Sequence, residues 1–378
     1  MGMKIEDFIA GKSVKCYHYS CFVPSLINHE WTWESQDLTC ALERAVKALA
    51  SLDACSQFVP DIDLFIRMHI VREASASSRI EGTQTEMEEA ILPETAIEEE
   101  RRNDWREVNN YVEAMASSID ALKALPLSMR LLRGAHRRLL SGVRGEHKSP
   151  GEIRTSQNWI GGYSILTAKF IPPAPEFVQD LLGDLEQFWH NEDIKASHLI
   201  RCAISHYQFE SIHPFLDGNG RIGRLLIPFY LICNHELSSP SLYISAYFER
   251  NRDSYHDALS RVRTDDDLMG WVLFFLEAIE ETALTGCDKF KRIFALRDEM
   301  NEYSQACANA TLMQKLFKSL YSFPRTTINQ VSQSIGCSYL AANRMVKKLE
   351  KDGLLVPATD ARRNVIYDFR RYLEIFKT

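Results

Sequence analysis

The 378 residues are 45% hydrophobic and 25% charged with a formal net charge of −7, the balance of a soluble globular chain long enough for two or three domains. The longest apolar run, Leu225 to Cys233, is far short of the ~18–20 residues that span a bilayer; the charged start "MGMKIEDFIAGK" has no apolar core region, so a cytoplasmic protein with no membrane partner is expected. The nine cysteines are scattered singly without a Cys-x-x-Cys pair, as reduced core residues are, which excludes a disulfide framework or a structural zinc site.

In chain order the pattern is mainly α. A long helix is expected from about Ile62 to Glu81, with Phe65, His69 and Ile70 on one face and Gly82 as its C-cap. The stretch "TQTEMEEAILPETAIEEERR" that follows is acidic and interrupted by Pro93, and reads as an exposed connection. Further helices are expected at Asp104–Ala124, Ser128–Leu140, Glu176–His190 and Ala196–Ser211. Between them, "RTSQNWIGGYSILTAKFIPP" (Arg154–Pro173) has two β-prone runs around Gly161-Gly162, a hairpin signal. Met269–Ala295 is again helical, with a linker around Asp298–Asn309.

The last stretch differs in texture and charge. From Cys307 to Thr378 there are 12 Lys+Arg against 5 Asp+Glu, a balance of +7, while the rest of the chain carries −14. Helices at Leu312–Tyr321, Thr327–Ile335 and Ser338–Lys351, a turn at Gly336, and the short runs "GLLVPA" and "NVIYDF" around "TDARR" give the plan of a winged helix-turn-helix. Arg344, Lys347, Lys348 and Lys351, with Arg362 and Arg363 in the wing, form a surface that suits DNA phosphates. Winged helices also dock proteins or form homodimers, and both readings stand.

The chemistry concentrates in "HPFLDGNGRIGR", His213 to Arg224. Its Gly218-x-Gly220-x-x-Gly223 has the spacing of a dinucleotide-binding fingerprint, but that reading requires a preceding strand. Here the preceding run is helical and broken at His213-Pro214, so no Rossmann unit is expected. What remains is a loop entering a helix. Gly218 and Gly220 allow amides to converge on an anion, and the new helix adds its N-terminus. Arg221 and Arg224 can grip phosphate oxygens, Asp217 can hold Mg²⁺, and His213 can take a proton from a hydroxyl. Those are the parts of a phosphate-transfer site.

"HPFLDGNGRIGR" resembles the HPFx(D/E)GNGRxxR motif of the Fic family, matching every constrained position. The resemblance implies a Fic-type helical core with a β-hairpin flap, and transfer of AMP from ATP to a Ser, Thr or Tyr hydroxyl of a target protein. It makes His213 the general base and Asp217 the ligand of Mg²⁺. Gly218, Asn219 and Gly220 would cradle the α- and β-phosphates, Arg221 and Arg224 would hold the triphosphate, and Ile222 and Gly223 complete the nucleotide-binding run. Relatives called Doc, which transfer a phosphoryl group, have lysine where Gly220 stands, so Gly220 favours adenylyl transfer. "GEIRTSQNWIGG" (Gly151–Gly162) resembles the lead into the family's flap, which aligns a target peptide by edge pairing. "RNRDSYHDAL" (Arg250–Leu259) resembles the helix start against adenine, with Tyr255 as the stacking residue and Asn251 and His256 nearby; a core role for Tyr255 is the competing reading.

"SSRIEG" (Ser77–Gly82) resembles the family's inhibitory (S/T)xxxE(G/N) helix, Ser77 and Glu81 lying on one helical face. The resemblance implies that Glu81 pairs with Arg224 and takes the space of the γ-phosphate. Three units follow: an N-terminal helical region with the inhibitory helix at 1–110, a Fic domain at 111–297, and the winged helix-turn-helix at 308–378. Two alternatives stand beside adenylyl transfer: another nucleotide donor, or a DNA-binding regulator whose Fic core senses nucleotide.

Overall fold

The computed structural model describes residues 2–16, 18–57, 62–358 and 365–377. Four short strands open the chain: β1 (Met3–Lys4), β2 (Gly11–Cys16), β3 (Tyr19–Pro24) and β4 (Trp31–Thr32). β1 pairs in parallel with β4, and β2 is antiparallel to β3 in the register Gly11 to Pro24 through Cys16 to Tyr19. Helices then dominate: α1 (Gln36–Gln57), α2 (Ile62–Ile80), α3 (Met87–Ala90), α4 (Arg102–Leu122), α5 (Met129–Leu139), α6 (Pro175–His190), α7 (His198–Ile212), α8 (Asn219–Cys233), α9 (Ser245–Arg250), α10 (Arg252–Asp265) and α11 (Leu268–Gln305).

The axis of the core is α7, buried from Leu199 to Ile212 on every side. A helix covered all round has no polar stripe; neighbouring tryptophans anchor it, Trp189 Nε1 of α6 donating to Ser205 Oγ at 3.2 Å and Trp271 Nε1 of α11 donating to the Ala203 carbonyl at 2.8 Å. Around it, α6, α8 and α11 pack directly, and α1 lies along α11. α2 packs on α4 and α9, so the helix carrying Ser77 and Glu81 is laid across the start of α8.

The helices of the sequence reading stand close to their expected bounds. Ser128 caps α5 by accepting from Leu131 N, and Gly82, at φ +97°, ends α2 where an L-residue with a side chain is disfavoured. Three expectations need correction. Where a linker was expected at 298–309, α11 runs on as a helix to Gln305, because Leu296, Met300 and Ser304 continue its buried face. The acidic connection after Gly82 is not simply exposed: Thr83, Thr85, Met87, Ala90 and Ile97 are buried. The expected β-hairpin at 154–173 is reduced to one antiparallel bridge, Ile160 to Phe170. Gly161 and Gly162 both take positive φ, as a hairpin turn requires, but the loop beyond them turns through a 3-10 segment at Ile165–Thr167 instead of pairing.

The C-terminal segment has α12 (Ala310–Ser322), β5 (Arg325–Thr327), α13 (Ile328–Ile335), α14 (Tyr339–Lys351), β6 (Val356–Pro357), β7 (Ile366–Asp368) and α15 (Arg370–Lys377). The three strands form an antiparallel sheet in the order β5-β7-β6. This is the element order expected of a winged helix-turn-helix, with an added terminal helix that the sequence reading lacks. A Thr327–Gln330 capping box starts α13, and Gly336 at φ +66° ends it. Arg362 and Arg363, expected in the wing, lie outside the described residues. On α14, Lys347 pairs with Glu350 at 2.7 Å and Lys348 with Asp352 at 2.9 Å. No helix of the described residues is long and apolar enough to cross a membrane.

Candidate active site

The loop between α7 and α8 is set by backbone constraints at its two ends. His213 closes α7 in the left-handed region, φ +50°, its N–H reaching the Phe209 carbonyl at 2.9 Å. A non-glycine residue there is held by its surroundings, and Pro214 forbids the helix from continuing. At the other end Gly218, φ +74°, starts α8.

Four side chains clamp what lies between. Arg154, only 3% exposed, donates from Nε to the His213 carbonyl at 2.9 Å and from its terminal nitrogens to the carbonyls of Pro173, Ile212 and Ser156 at 2.5, 3.2 and 3.3 Å. Asn158 Nδ2 donates to the carbonyls of His213 and Phe215 at 3.0 and 2.8 Å. Asn219 accepts from Phe215 N and donates to Phe215 O, both at 2.8 Å. His136 stacks on Phe215 with ring centroids 3.9 Å apart. Its Nδ1 accepts from Gly151 N at 2.7 Å, so its Nε2–H donates to the Asp217 carbonyl at 2.9 Å. Asn219 is therefore primarily a brace of the loop. No motif of the sequence marks His136, Arg154 or Asn158 individually as a site residue. The flap-like segment holds Arg154 and Asn158, and that resemblance is the only sequence signal for either.

The two arginines of the motif leave α8 toward different helices. Arg224, 1% exposed, donates from Nε to Ser77 Oγ at 2.8 Å, and from Nη2 to Ser77 O at 3.0 Å and Glu81 Oε1 at 2.7 Å. Desolvation works against the Glu81 charge, but the Arg224 guanidinium outweighs it and holds the carboxyl below its ordinary range. Glu81 also lies directly on the glycine loop: a Cβ built on Gly220 would stand 2.3 Å from Glu81 Oε1. The carboxylate thus fills space that an anion on this loop would need. Arg221, 4% exposed, donates to Glu107 Oε2 of α4 at 3.2 Å, and Glu107 also binds Arg144 at 2.8 Å. This Glu107 partner is absent from the sequence reading.

Asp217 is half-exposed. Its Oδ1 accepts from Gly218 N at 2.6 Å and lies 3.8 Å from Arg221 Nη2, while a Cβ on Gly145 would meet Oδ2 at 2.6 Å. His213 is lowered to about 4, chiefly by burial and further by Arg154, with the Glu210 carbonyl and Glu81 acting in the opposite sense. It is neutral at pH 7. Its Nδ1 faces the Glu210 carbonyl at 3.4 Å, which leaves Nε2 as the free acceptor. Beneath it, the Glu210 carboxyl is buried, 4.0 Å from His213 Nδ1, with Oε1 lacking a hydrogen-bond partner among the described residues; burial raises it to about 7.

Ile222 is fully buried and Gly223 packs against Glu210, where a Cβ would come within 2.1 Å of Oε1, so both serve the α7–α8 contact. Tyr255 is not set as a surface for a ring to stack on. It is 1% exposed, stacked on Phe248 at 4.4 Å, and its hydroxyl donates to His206 Nε2 at 2.8 Å while Nδ1 of that histidine donates to the Gly223 carbonyl at 2.9 Å. The core reading of Tyr255 fits this placement. Asn251 Nδ2 is engaged with the Tyr247 carbonyl at 3.1 Å. His256 is exposed and feels Glu81 and Arg224, its pKa lowered mainly by desolvation.

Comparison with known proteins follows the same map. A family model described as Fic/DOC family N-terminal matches residues 39–120, and one described as Fic/DOC family matches residues 126–231. Protein adenylyltransferase fic-1 of Caenorhabditis briggsae is 41% identical over 93 residues, 24% of this chain and 17% of that protein. Protein adenylyltransferase Fic of Culex quinquefasciatus is 31% identical over 157 residues, 41% of this chain and 28% of that protein. The match thus spans less than a third of either relative's length. A solved Fic family protein from Desulfovibrio desulfuricans G20 shares the fold over 89% of this chain and 96% of its own, with a TM-score of 0.55 at 20% identity. Fic-1 of C. elegans does so over 69% of this chain and 74% of its own, with a TM-score of 0.52 at 18% identity. With both family regions in sequence, the complete His213–Arg224 loop joining α7 to α8, and Glu81 seated on Arg224 ahead of it, this chain belongs to the Fic/DOC family.

Proposed function

We propose that this protein transfers AMP from ATP to a hydroxyl side chain of a target protein, itself included, and that Glu81 restrains the reaction. The observation that carries this reading is the Glu81 carboxylate lying on Gly220 and bound to Arg224: a phosphate-binding loop with its arginine occupied by an internal anion. The adenylyltransferase names of the relatives support the same chemistry.

In the reaction, a target hydroxyl oxygen attacks the α-phosphorus, its proton passes to His213 Nε2, and the α–β bridging P–O bond breaks to release pyrophosphate. His213 is held neutral for that step by burial. The α8 N-terminal amides and the Gly218–Gly220 backbone bind phosphate oxygens, and Arg224, freed from Glu81, neutralises the triphosphate. Positioning and charge neutralisation supply most of the acceleration. Mg²⁺ takes one or two carboxylates and completes its shell with water and substrate phosphates. Asp217 fits that role: its carboxylate is 43% exposed, with Oδ2 beside Gly145, where a side chain would crowd it. Mg²⁺ bound there would offset phosphate charge and orient the leaving pyrophosphate.

The test uses ATP labelled at the α- or γ-phosphate, with Mg²⁺ and wild type, Glu81→Gly or Glu81→Gly/His213→Ala protein. Label retained from the α position, at least tenfold stronger in Glu81→Gly than in wild type and lost in the double variant, is the expected result. Retention of γ label in its place would assign phosphoryl transfer, and equal α label in wild type and Glu81→Gly would remove Glu81 as the brake.

A further inference from the structure

Glu73 lies on α2 four residues before Ser77 and eight before Glu81. The three share one helical face, and the outer two are spaced about 12 Å along the axis. Glu73 belongs neither to the His213–Arg224 motif nor to the Ser77–Glu81 pattern, and it is 1% exposed. Its partners are neutral donors from two other helices. Ser245, at the start of α9, donates its backbone N–H to Oε2 at 3.0 Å and its hydroxyl to Oε1, and the Tyr111 hydroxyl of α4 donates to Oε1 at 3.4 Å. The Ser245 N–H is one of the amides that a helix start leaves without an intrahelical partner, and Ile244 ahead of it supplies no side-chain cap. Glu73 therefore caps α9 from a different helix.

A carboxyl at this depth is costly unless its hydrogen bonds are made. Well-packed apolar residues would hold α2 as firmly, but apolar contact is non-directional, so α2 could slide or turn against α4 and α9 with little loss of buried area. The bonds at Glu73 exist in one register alone, and fixing a register is the best-attested use of a buried polar group. In that register Ser77 Oγ and O receive Arg224 at 2.8 and 3.0 Å, and Glu81 Oε1 receives it at 2.7 Å. A second polar tie between α2 and α9, Arg79 Nη2 to Glu249 Oε2 at 3.0 Å, joins side chains 30% and 29% exposed, and solvent screens it.

We infer that Glu73 is a positioning residue for the brake, an inference that rests on the reading of Glu81 given above. By tying α2 to α9 and α4, it fixes the register in which Ser77 and Glu81 meet Arg224. Without those bonds α2 moves among neighbouring settings and the Glu81 carboxylate leaves Arg224.

The test measures retained α label for wild type, Glu73→Met and Glu73→Gln, each with Glu81 present and again in the Glu81→Gly background. With Glu81 present, Glu73→Met should raise the label at least about fivefold. In the Glu81→Gly background it should change the label less than about twofold, because no brake is left to release. Glu73→Gln should stay near wild type, since its amide accepts from Ser245 N and donates to the two hydroxyls. A fall in both backgrounds would make Glu73 a residue of general stability and overturn the assignment. Ser245→Ala removes one donor and leaves the carboxyl in place, which covers a Glu73→Met protein that fails to fold; it should release the brake in the same direction, and label equal to wild type would overturn the assignment. Hydrogen exchange of the peptide spanning residues 74–82, read without ATP, separates this inference from the reading beneath it. Exchange should rise at least about tenfold in Glu73→Met and not in Glu73→Gln, whether or not Glu81→Gly raises the label. Exchange in Glu73→Met equal to wild type would show that Glu73 does not hold α2.

Discussion

The last turn of α7 and its cap hold two titratable groups that the same burial drives in opposite senses: His213 falls to about 4 and Glu210 rises to about 7. Removing water penalises whichever form is charged, so an imidazole loses its proton and a carboxyl keeps one. For the proposed transfer, the neutral imidazole of His213 is therefore present across the neutral range. The kcat/KM profile of Glu81→Gly, which reports free-enzyme groups, should show its acid limb well below pH 6.5, the ordinary histidine value; a limb at or above it would remove burial as the controlling influence. For stability, the Glu210 pKa is raised on folding, so its contribution is full below about 4.5 and is lost as pH rises through about 7. Glu210→Gln stays neutral throughout. Its stability relative to wild type, measured by urea unfolding, should be more favourable at pH 8 than at pH 5 by at least about 1 kcal/mol.

At the scale of elements, the catalytic loop depends on a strap outside its own motif. The 151–173 segment crosses it and feeds Arg154 and Asn158 into its carbonyls. The strap is itself pinned at its far end, where Phe22 N of β3 donates to Ile171 O at 2.9 Å and Arg263 lies 4.0 Å over the Phe170 ring. Arg154→Lys keeps the charge but not the planar fork, and an ammonium cannot cover four carbonyls spread around it. The substitution should cost about 2–4 kcal/mol in denaturant unfolding and lower kcat of Glu81→Gly protein more than its KM for ATP. A loss confined to KM would mean that Arg154 does not position His213.

At the scale of the whole molecule, the C-terminal segment is docked on α2. Phe65 of α2 meets Tyr321 of α12 at 5.0 Å and Tyr372 of α15 at 6.2 Å, and Arg325 donates to the Glu88 carbonyl at 2.6 Å. The buried apolar residues of α2, α11, α12 and α15 form one continuous core. Phe65→Ala should thus cost about 3–5 kcal/mol and lower the unfolding midpoint of the C-terminal helices and the catalytic core together, as followed by hydrogen exchange. Separate midpoints for the two would show that the docking is loose.

What the sequence by itself determined is local: the end of α7 at His213-Pro214, the glycine loop, the helix phase that sets Ser77 and Glu81 on one face, and the caps at Ser128, Thr327 and Gly336. Each follows from dihedral preferences or short-range hydrogen bonds among residues a few positions apart. Tertiary structure decided the rest. Arg154 and His136 look like any surface arginine or histidine until chain 59 and 81 residues away delivers the His213 and Asp217 carbonyls to them. Tyr255 turned inward because Phe248, Trp271 and His206 surround it, and α11 continued through an expected linker because its buried face found partners in α12 and α15. Burial and partnership across long separations are properties of the packed chain, and no local pattern encodes them.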